Sequence, residues 1–403
     1  MTKLSCPFCY NAIKRRSELF FLCRGKPTAT RPACRPEPDE ARRNLTGFAE
    51  PTLPAFEAVT ENLMLPRNRA QCPHCLGETT TRACPHCHTA LPMEFGTDAS
   101  PMVAMVGARG TGKTVYLTVL AEELQKPKIR KEFRASVRTI GDGQDGFGAQ
   151  TQWVRQNIRQ VYRDRKLFEA TAQAIGGRKE PVVLEWRGEH TGLLGRRKFR
   201  TNYLSFYDTA GEDLSTDGQT YNLHYLSAAD YLILLLDPFQ LPEVQRLLRL
   251  PPAATRHSID GEPPIGVLHR ITDALKRGDH WNGRQITVPI AVAFAKMDAY
   301  YRHVDETHPL RRTRRRPGGY DSTAGRTIHE QMAALLNQWG GAEIDDHLRG
   351  HYRSYQYFAV SALGAEPDYE NNMVDPRGVR PDRVEEPLLW LMHQGGLVPR
   401  AST

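Results

Sequence analysis

A glycine-rich segment that ends in a lysine and a threonine carries the strongest chemical signal in this sequence. Residues 107–114 read G-x-x-x-x-G-K-T in full, between a short apolar run at 102–106 and helix-spaced apolar residues at 115–125. This pattern predicts a strand, a tight loop and a helix, whose backbone N–H groups cradle a chain of phosphates. We expect Lys113 to contact the β- and γ-phosphates and Thr114 to bind Mg²⁺. The candidate phosphate-binding residues are Gly107, Ala108, Arg109, Gly110, Thr111, Gly112, Lys113, Thr114 and Val115.

Three further polar motifs each follow a short apolar run that is typical of a buried strand. They read D-T-A-G at 208–211, K-M-D at 296–298 and S-A-L at 361–363, and a further apolar run lies at 231–236. Ligands of open α/β sheets bind outside the carboxyl ends of the strands. The motifs are therefore expected to surround the bound nucleotide.

These motifs, in this order, resemble the guanine-nucleotide elements of P-loop GTPases of the Ras-like, translation-factor-related class. The resemblance runs from about residue 102 to about residue 394. It implies an α/β fold of the P-loop NTPase type, with a mostly parallel sheet and helices on both faces. It also implies that Asp208 holds Mg²⁺ and that the Gly211 N–H senses the γ-phosphate.

The same resemblance implies recognition of guanine. The K-M-D segment occupies the place of the family's N/T-K-x-D motif, so Asp298 would accept hydrogen bonds from the guanine N1–H and exocyclic amine. The Lys296 stem would lie over the base, and the backbone of 361–363 (Ser361, Ala362 and Leu363) would close its other edge. A surface lysine and aspartate at a strand end are the alternative interpretation.

Several residues affect how the nucleotide elements of this family would function in this chain. Ala295 replaces the usual Asn or Thr and so lacks a side-chain hydrogen bond to the phosphate loop, whereas Leu363 replaces a Lys whose backbone makes the contact. Glu212 stands where Ras-like enzymes carry a water-orienting Gln. Its carboxylate would repel the γ-phosphate, so slow hydrolysis is expected. Thr171 is the candidate for the threonine of the first switch, with an ordinary loop threonine as the alternative.

All eight cysteines lie between Cys6 and Cys87, which marks off an N-terminal module. Closely spaced Cys-x-x-Cys pairs place four thiolates at the corners of a tetrahedron, as zinc requires. We expect two structural zinc sites in a small double zinc-ribbon module, with disulfides or buried thiols as alternatives. The expected ligands are Cys6, Cys9, Cys23 and Cys34 for the first zinc, and Cys72, Cys75, Cys84 and Cys87 for the second.

The sequence predicts two domains. These are a zinc-ribbon module at 1–95 with a proline-rich connector at 36–66, and a GTPase-like domain at 96–397 with insertions at about 140–178, 238–284 and 300–325. The last insertion contains the basic run Arg311–Arg316, which is a candidate contact for nucleic acid or an acidic partner. A solvated loop is the alternative.

The charge and hydropathy of the sequence exclude only a few classes of function. The formal net charge of +8 over 403 residues permits contact with nucleic acid but does not require it. The sequence contains no apolar run near the roughly 20 residues of a membrane span, and its first residues lack the apolar segment of a secretory signal. We therefore expect a cytoplasmic protein without a membrane span.

Taken together, these signals predict a GTP-binding switch with slow, Mg²⁺-dependent hydrolysis and with zinc ribbons that bind a protein partner. Paired zinc knuckles ahead of such a domain also resemble the bacterial double-GTPase group, which implies a role in a bacterial conflict or defence system. Two alternatives stay open: an ATPase of the P-loop class, and a zinc-ribbon adaptor that binds nucleic acid and keeps a structural nucleotide site.

Overall fold

A computed structural model describes residues 4–58, 68–141, 152–168, 180–191, 197–208, 225–249, 252, 254, 263–311 and 318–401. The chain divides into two compact units. The first comprises Met1–Met102, Val137–Trp153 and Gln173–Tyr207, and the second comprises Val103–Ser136, Val154–Ala172 and Asp208–Thr403. This grouping departs from the linear division at 95/96, because segments from 137 to 207 belong to the same unit as the cysteine-rich module.

The cysteine-rich part of the first unit is built from very short strands. They are β1 (Leu4–Ser5), β2 (Ala12–Ile13), β3 (Phe20–Leu22), β4 (Ala55–Phe56), β5 (Ala70–Gln71), β6 (Glu78–Thr79), β7 (Arg82–Ala83) and β8 (Ala90–Leu91). All pair antiparallel, as β1-β2, β4-β3-β7-β8 and β5-β6. Strands this short need additional cross-links to be stable, which gives the cysteines a structural role.

The segment 36–66, predicted as a proline-rich connector, contains a short helix within its described residues. Helix α1 (Glu40–Thr46) begins after Asp39, whose side chain accepts a hydrogen bond from the Arg42 N–H, and ends at Gly47, where φ is 79°. The Arg42 side chain is buried and donates to the Glu50 carbonyl at 2.6 Å. A charged sequence thus folds here because its arginine finds a buried acceptor, which the composition did not indicate.

Longer strands follow in the rest of the chain. They are β9 (Met102–Val106), β10 (Ala135–Ile140), β11 (Val182–Thr191), β12 (Arg197–Asp208), β13 (Tyr231–Leu236), β14 (Ile290–Phe294) and β15 (Tyr355–Ala359). In the first unit β10, β11 and β12 are neighbours in that order, and β11 pairs antiparallel with β12. The predicted antiparallel pair of 181–186 with 202–207 is thereby confirmed.

One apolar core joins this strand group to the cysteine-rich module within the first unit. Val183 and Tyr203 belong to the same buried cluster as Phe8, Leu91 and Phe95. Hydrogen bonds along β12 reinforce the contact, since the Ser205 hydroxyl donates to the Pro7 carbonyl and the Asn202 amide donates to the Ala99 carbonyl at 2.7 Å. The cysteine-rich module and these strands therefore share one core.

Four parallel strands form the centre of the second unit, in the order β9-β13-β14-β15. Every residue of β9, β13 and β14 is buried, which explains why their sequences are continuous apolar runs rather than alternating ones. Leu234 of β13 lies opposite Val106 of β9 and Val292 of β14. Its register therefore sets the positions of both neighbouring strands.

Helices connect the strands and cover them. After α1 they are α2 (Lys113–Gln125), α3 (Pro127–Phe133), α4 (Gln152–Ile158), α5 (Pro242–Leu248), α6 (Pro264–Lys276), α7 (Asp298–Tyr301), α8 (Ser322–Gln338), α9 (Ala342–His351) and α10 (Glu386–Gln394). The helix predicted at 267–276 begins three residues earlier, with Pro264 in its first turn. Among the described residues, no helix combines the length and the hydropathy of a membrane-crossing segment.

We expect Leu234→Ala to lower the free energy of unfolding by about 3 kcal/mol, because the fully buried side chain leaves a cavity in the central strand. Urea denaturation followed by circular dichroism measures the change. Leu247→Ala is the matched control, since Leu247 is 44% exposed and should change stability by less than about 0.5 kcal/mol. Equal effects of the two substitutions would contradict the assignment of β13 as the core strand.

Candidate functional site

The carboxyl ends of the four parallel strands bring the candidate nucleotide motifs of the second unit to one edge. The phosphate loop, 107–112, follows β9, and the segment 295–298 follows β14. Asp237 follows β13, and the segment 361–363 follows β15. Parallel pairing in register makes this edge common to all four segments, as ligand sites of open α/β sheets require.

The phosphate loop needs its glycines for two separate reasons. At Gly107 a Cβ would lie 2.6 Å from the Leu235 carbonyl oxygen, so any side chain would push the loop away from β13. Gly110 and Gly112 have φ of 77° and 86°, a left-handed conformation that only glycine adopts without strain. Helix α2 begins directly after Gly112, and its first N–H groups face the loop. The backbone thus has the shape of an anion-binding turn.

The phosphate loop itself holds the Lys113 side chain in place. Its ammonium donates to the carbonyls of Gly107 and Ala108, each at 2.8 Å, and the residue is only 7% exposed. A buried ammonium held by backbone carbonyls is a fixed positive charge beside the loop. Thr111 closes the turn by donating its hydroxyl to the Ala108 carbonyl at 2.9 Å.

Asp298 is the acidic group at the opposite end of this edge, and Ser361 holds it. The Ser361 hydroxyl donates to Oδ1 of Asp298 at 2.5 Å and accepts the N–H of Gly364 at 2.8 Å. Burial raises the pKa of the Asp298 carboxyl above its ordinary value, and the hydrogen bond from Ser361 acts in the opposite direction. The two segments that the sequence singled out separately thus form one hydrogen-bonded unit.

Asp237 is a residue of this edge that the sequence analysis did not single out. Its carboxylate is 1% exposed and pairs with the Lys296 ammonium at 2.6 Å. The same ammonium lies 4.9 Å from the centroid of the Phe239 ring, and Lys296 has a φ of 55°. The signal available in the sequence was a carboxylate at the end of a fully apolar strand, directly before a proline.

The Lys296–Asp237 pair offers an anchor for the 295–298 loop where Ala295 has no polar side chain. The Ala295 N–H donates to the Leu236 carbonyl at 2.9 Å, which also links this loop to β13. The loop after β15 is restrained as well, because a Cβ at Gly364 would lie 1.7 Å from the Arg380 carbonyl oxygen. The first loop is therefore held by β13, and the second by the chain around Arg380.

Several predicted site residues lie outside the described part of the chain. These are Thr171, Gly211, Glu212 and Arg312–Arg316. Asp208 is the last residue of β12, and its side chain also lies outside the described part. The roles expected for these residues remain predictions.

The eight cysteines form two groups of four within the first unit, and their membership corrects the sequence prediction. One group is Cys6, Cys9, Cys84 and Cys87, and the other is Cys23, Cys34, Cys72 and Cys75. The predicted sets had combined neighbours in sequence, so Cys23 and Cys34 exchange places with Cys84 and Cys87. The presence of two four-cysteine groups is confirmed.

The physical reason for the exchange is the antiparallel pairing of β3 with β7. Phe20 lies opposite Ala83, so Cys84 continues from the end of this pair at which β3 begins. Cys23 follows β3 at the other end, near the Cys72 knuckle, where the Thr79 hydroxyl donates to the Leu22 carbonyl at 2.7 Å. The two groups therefore lie at opposite ends of the β3–β7 pair.

Both groups have the dimensions of a tetrahedral thiolate site. The Sγ atoms of Cys6 and Cys87 are 3.8 Å apart, and those of Cys9 and Cys84 are 3.7 Å apart. In the second group the Cys23–Cys75 and Cys34–Cys72 separations are 3.5 and 3.9 Å. A zinc ion with Zn–S bonds of about 2.3 Å requires S···S separations of about 3.8 Å. The residues present thus fit zinc in both groups.

Three of the cysteine pairs share one turn geometry that favours a bound cation. The residue after each pair, Tyr10, Leu76 or His88, has φ between 57° and 65° and donates its N–H to the carbonyl of the first cysteine. Backbone N–H groups also point at sulfur, as from Phe8 to Cys6 at 3.5 Å. Such hydrogen bonds stabilise thiolate rather than thiol, which is the form that binds metal.

Comparison with known proteins gives one relative in sequence and several in structure. No family model matches the chain. A protein of Mycolicibacterium smegmatis, described as "Putative ESX-1 scaffolding and assembly protein SaeC", is 25% identical over 346 residues, which cover 78% of this chain and 80% of that protein.

Two solved structures illustrate the likeness in structure. Translation elongation factor SelB of Methanococcus maripaludis, in complex with the GTP analogue GppNHp, is 10% identical with a TM-score of 0.23, covering 66% of this chain and 30% of that one. The signal recognition particle receptor SRb-GTP/SRX complex of Chaetomium thermophilum is 12% identical with a TM-score of 0.25, covering 67% and 94%.

The grouping of the cysteines predicts which thiols lose protection together. In zinc-loaded protein we expect Cys84→Ser to expose the other three members of its group to iodoacetamide, while the second group stays protected. Peptide mass spectrometry of the alkylated protein identifies the labelled residues. The thiols expected to react are Cys6, Cys9 and Cys87.

The reciprocal variant is the control for this experiment. Cys75→Ser should expose only the remaining members of the second group. These are Cys23, Cys34 and Cys72. Labelling of Cys72 and Cys75 in the Cys84→Ser variant would instead support grouping by neighbours in sequence.

Proposed function

We propose that this chain binds guanine nucleotide together with Mg²⁺, hydrolyses GTP slowly and uses the bound nucleotide as a switch. The observation that carries the proposal is the Asp298–Ser361 pair, which lies at the same sheet edge as the phosphate loop. A carboxylate held in one orientation at this edge is suited to read a base whose phosphates occupy the loop after β9.

Guanine and adenine differ in the groups that they offer to such a carboxylate. Guanine presents the N1–H and the exocyclic amine as two adjacent donors, whereas adenine has an unprotonated N1 at the same edge. The ionised Asp298 can only accept hydrogen bonds, so it favours guanine. The hydrogen bond from Ser361 restrains the carboxylate before the base arrives and so lowers the entropy cost of recognition.

The phosphate chain would be bound by the loop and by Lys113. The N–H groups at the start of α2 and the glycine backbone would donate to the phosphate oxygens. The ammonium, which now donates to two loop carbonyls, would also contact the phosphates. Thr114 and Asp208 supply the oxygen ligands that Mg²⁺ prefers, and the bound ion would neutralise phosphate charge.

We propose that hydrolysis is slow because Glu212 takes the place of a water-orienting glutamine. Attack of water on the γ-phosphorus breaks its bond to the bridging oxygen and leaves GDP and inorganic phosphate. A γ-phosphate would hold the Thr171 region and the loop 211–217, and its loss would release them. This sequence of events is what makes a nucleotide site a switch.

The cysteine-rich module, with a zinc ion in each of its two cysteine groups, would then bind a protein partner. The relative in M. smegmatis is described as a scaffolding and assembly protein, and the match to this chain covers 80% of that protein. We therefore favour a nucleotide-dependent role in assembling other proteins, in the cytoplasm, over a role in a bacterial conflict system. Nucleic acid, bound by the zinc ribbons or the Arg311–Arg316 run, is the alternative partner.

Isothermal titration of untagged, zinc-loaded protein with GDP, a non-hydrolysable GTP analogue and the matching ATP analogue, all with Mg²⁺, tests the nucleotide assignment. We expect guanine nucleotides to bind at least tenfold more tightly than adenine, which is about 1.4 kcal/mol. Asp298→Ala should abolish this preference. Asp305→Ala is the matched control, because Asp305 is exposed and its side chain caps only the turn at Thr307.

Either of two results would overturn the guanine assignment. One is that adenine nucleotide binds as tightly as guanine, which would favour a P-loop ATPase. The other is that Asp298→Ala leaves the preference unchanged. Absence of all nucleotide binding, together with steeply salt-dependent binding of DNA or RNA, would favour the adaptor alternative.

The raised pKa of Asp298 predicts that guanine preference depends on pH. Protonation removes the negative charge and turns one acceptor oxygen into a donor, so the ratio of GDP to ADP affinity should fall as the pH is lowered toward the raised pKa of Asp298. Ser361→Ala removes a hydrogen bond that lowers the pKa of Asp298. The fall should therefore occur at a higher pH in this variant. Titrations at a series of pH values measure both midpoints, and identical midpoints would contradict the role of Ser361.

A further inference from the structure

Residues 364–382, which we call the strap, begin and end beside the candidate base-binding loop 361–363. The N–H of Ser361 donates to the Asp382 carbonyl at 3.0 Å, and the N–H of Asp382 donates to the Ser361 carbonyl at 2.8 Å. These two bonds form an antiparallel bridge within the second unit. The base of the strap is therefore paired with the loop whose serine holds Asp298.

The tip of the strap is a tight turn stabilised by its own hydrogen bonds. The Asp368 N–H donates to the Met373 carbonyl at 2.9 Å, and the Met373 N–H donates to the Asp368 carbonyl at 3.1 Å. The Asp368 carboxylate also accepts the N–H groups of Glu370 and Asn371, each at 3.0 Å. Asn372 has a φ of 53°, a left-handed conformation that asparagine adopts more readily than most residues. The turn thus has a defined shape.

This tip pairs with a short segment that precedes the candidate threonine of the first switch. The Leu167 N–H donates to the Asn372 carbonyl at 2.8 Å, and the Val374 N–H donates to the Arg165 carbonyl at 2.8 Å. The Arg165 guanidinium donates in addition to the Pro376 carbonyl at 2.7 Å. Three hydrogen bonds therefore join two parts of the chain that are far apart in sequence.

The segment 165–167 is also held from the side of the phosphate loop. The Gln160 amide donates to the Leu167 carbonyl at 3.0 Å. Two residues further along the chain, the Tyr162 hydroxyl donates to the Glu123 carboxylate at 3.2 Å. Glu123 belongs to α2, the helix that begins at the phosphate loop. Contacts therefore run from α2 through 165–167 and the strap to the base-binding loop.

The strap contacts the base-binding side of the nucleotide edge as well. The Glu366 carboxylate accepts a hydrogen bond from the Arg302 guanidinium, directly after helix α7. Burial raises the pKa of the Tyr369 hydroxyl above its ordinary value. The negative charges of Asp298, Glu366 and Asp237 raise it further, so the hydroxyl lies near both carboxylates of this edge.

We propose that the strap is a further part of the nucleotide site, which positions the base-binding loop and, while paired with 165–167, slows the release of bound guanine nucleotide. This inference rests on the proposed binding of guanine nucleotide. A bound base leaves when the loops around it separate, and the pairing at the tip restrains the loop 361–363 against such a movement. Contacts that must break before a ligand leaves act mainly on its dissociation rate.

The pairing itself offers a means to lock the strap. Lys166 and Met373 lie opposite each other in an antiparallel bridge, between the two inter-strand hydrogen bonds. Facing Cα atoms at such a position are about 4.5 Å apart, which is within the range of about 4.4–6.8 Å that a disulfide spans. Lys166 is exposed and Met373 is half-buried, so cysteines at both positions leave the core unchanged.

The test is the dissociation rate of a fluorescent GDP analogue from zinc-loaded protein with Mg²⁺, measured by stopped flow after addition of excess GDP. In the variant carrying Lys166→Cys and Met373→Cys, dissociation should be at least tenfold slower with the disulfide formed than after its reduction. Mass spectrometry verifies the disulfide, and metal analysis verifies an unchanged zinc content. Lys166→Cys alone, treated in the same way, should release the analogue at one rate throughout.

A second variant opens the strap rather than locking it. Arg165→Ala removes the side-chain bond to the Pro376 carbonyl and should accelerate dissociation about threefold. Arg377→Ala is the matched control, because Arg377 is also exposed and its guanidinium pairs with Asp375 inside the strap. This control should leave the dissociation rate unchanged.

The possible failures are distinguishable. Equal dissociation rates of the disulfide-linked and the reduced protein would overturn the role of the strap and leave guanine binding intact. Two cysteines that react with iodoacetamide but form no disulfide would contradict the pairing of the tip with 165–167. Absence of GDP binding by the unaltered protein would overturn the proposed function, and the role of the strap with it.

Discussion

Parallel pairing of four strands, three of them fully buried, is the constraint on which the candidate nucleotide site depends. Because β9, β13, β14 and β15 run in one direction and in register, the loops after them meet at one edge. The phosphate loop and the Asp298 loop are separated by nearly half of the chain, yet they have the same neighbour in β13. A slip of β13 by one residue would move Asp237 away from Lys296 and change the face to which every side chain of that strand points.

The candidate site also depends on the pairing of its buried charges. Asp237 and Lys113 are buried charges, and each has partners at hydrogen-bond distance: the Lys296 ammonium for the first and two loop carbonyls for the second. Buried charges are tolerated only when they are paired in this way. The same rule explains why Ser361 lies beside Asp298. Asp237, Lys113 and Asp298 are thus each oriented by contacts within the protein itself.

The first unit depends on a different principle. The strands of its cysteine-rich module are two or three residues long, and a metal ion in each of the two cysteine groups, at opposite ends of the β3–β7 pair, would cross-link this module. Both groups combine residues from the beginning and the end of the module. A metal ion bound by either group would therefore link distant parts of the module, so that metal binding would be coupled to its folding.

Local spacing was sufficient to identify the phosphate loop, the strands that carry the nucleotide motifs and the presence of two four-cysteine groups. The strand, turn and helix at 102–125 and the Cys-x-x-Cys pairs rest on residues close together in sequence, where backbone geometry leaves few choices. The membership of the cysteine groups, the helix in the supposed connector and the Asp237–Lys296 pair could not be read from spacing. They depend on which distant strands pair and on which buried charge finds a partner, and those contacts exist only once the chain has folded.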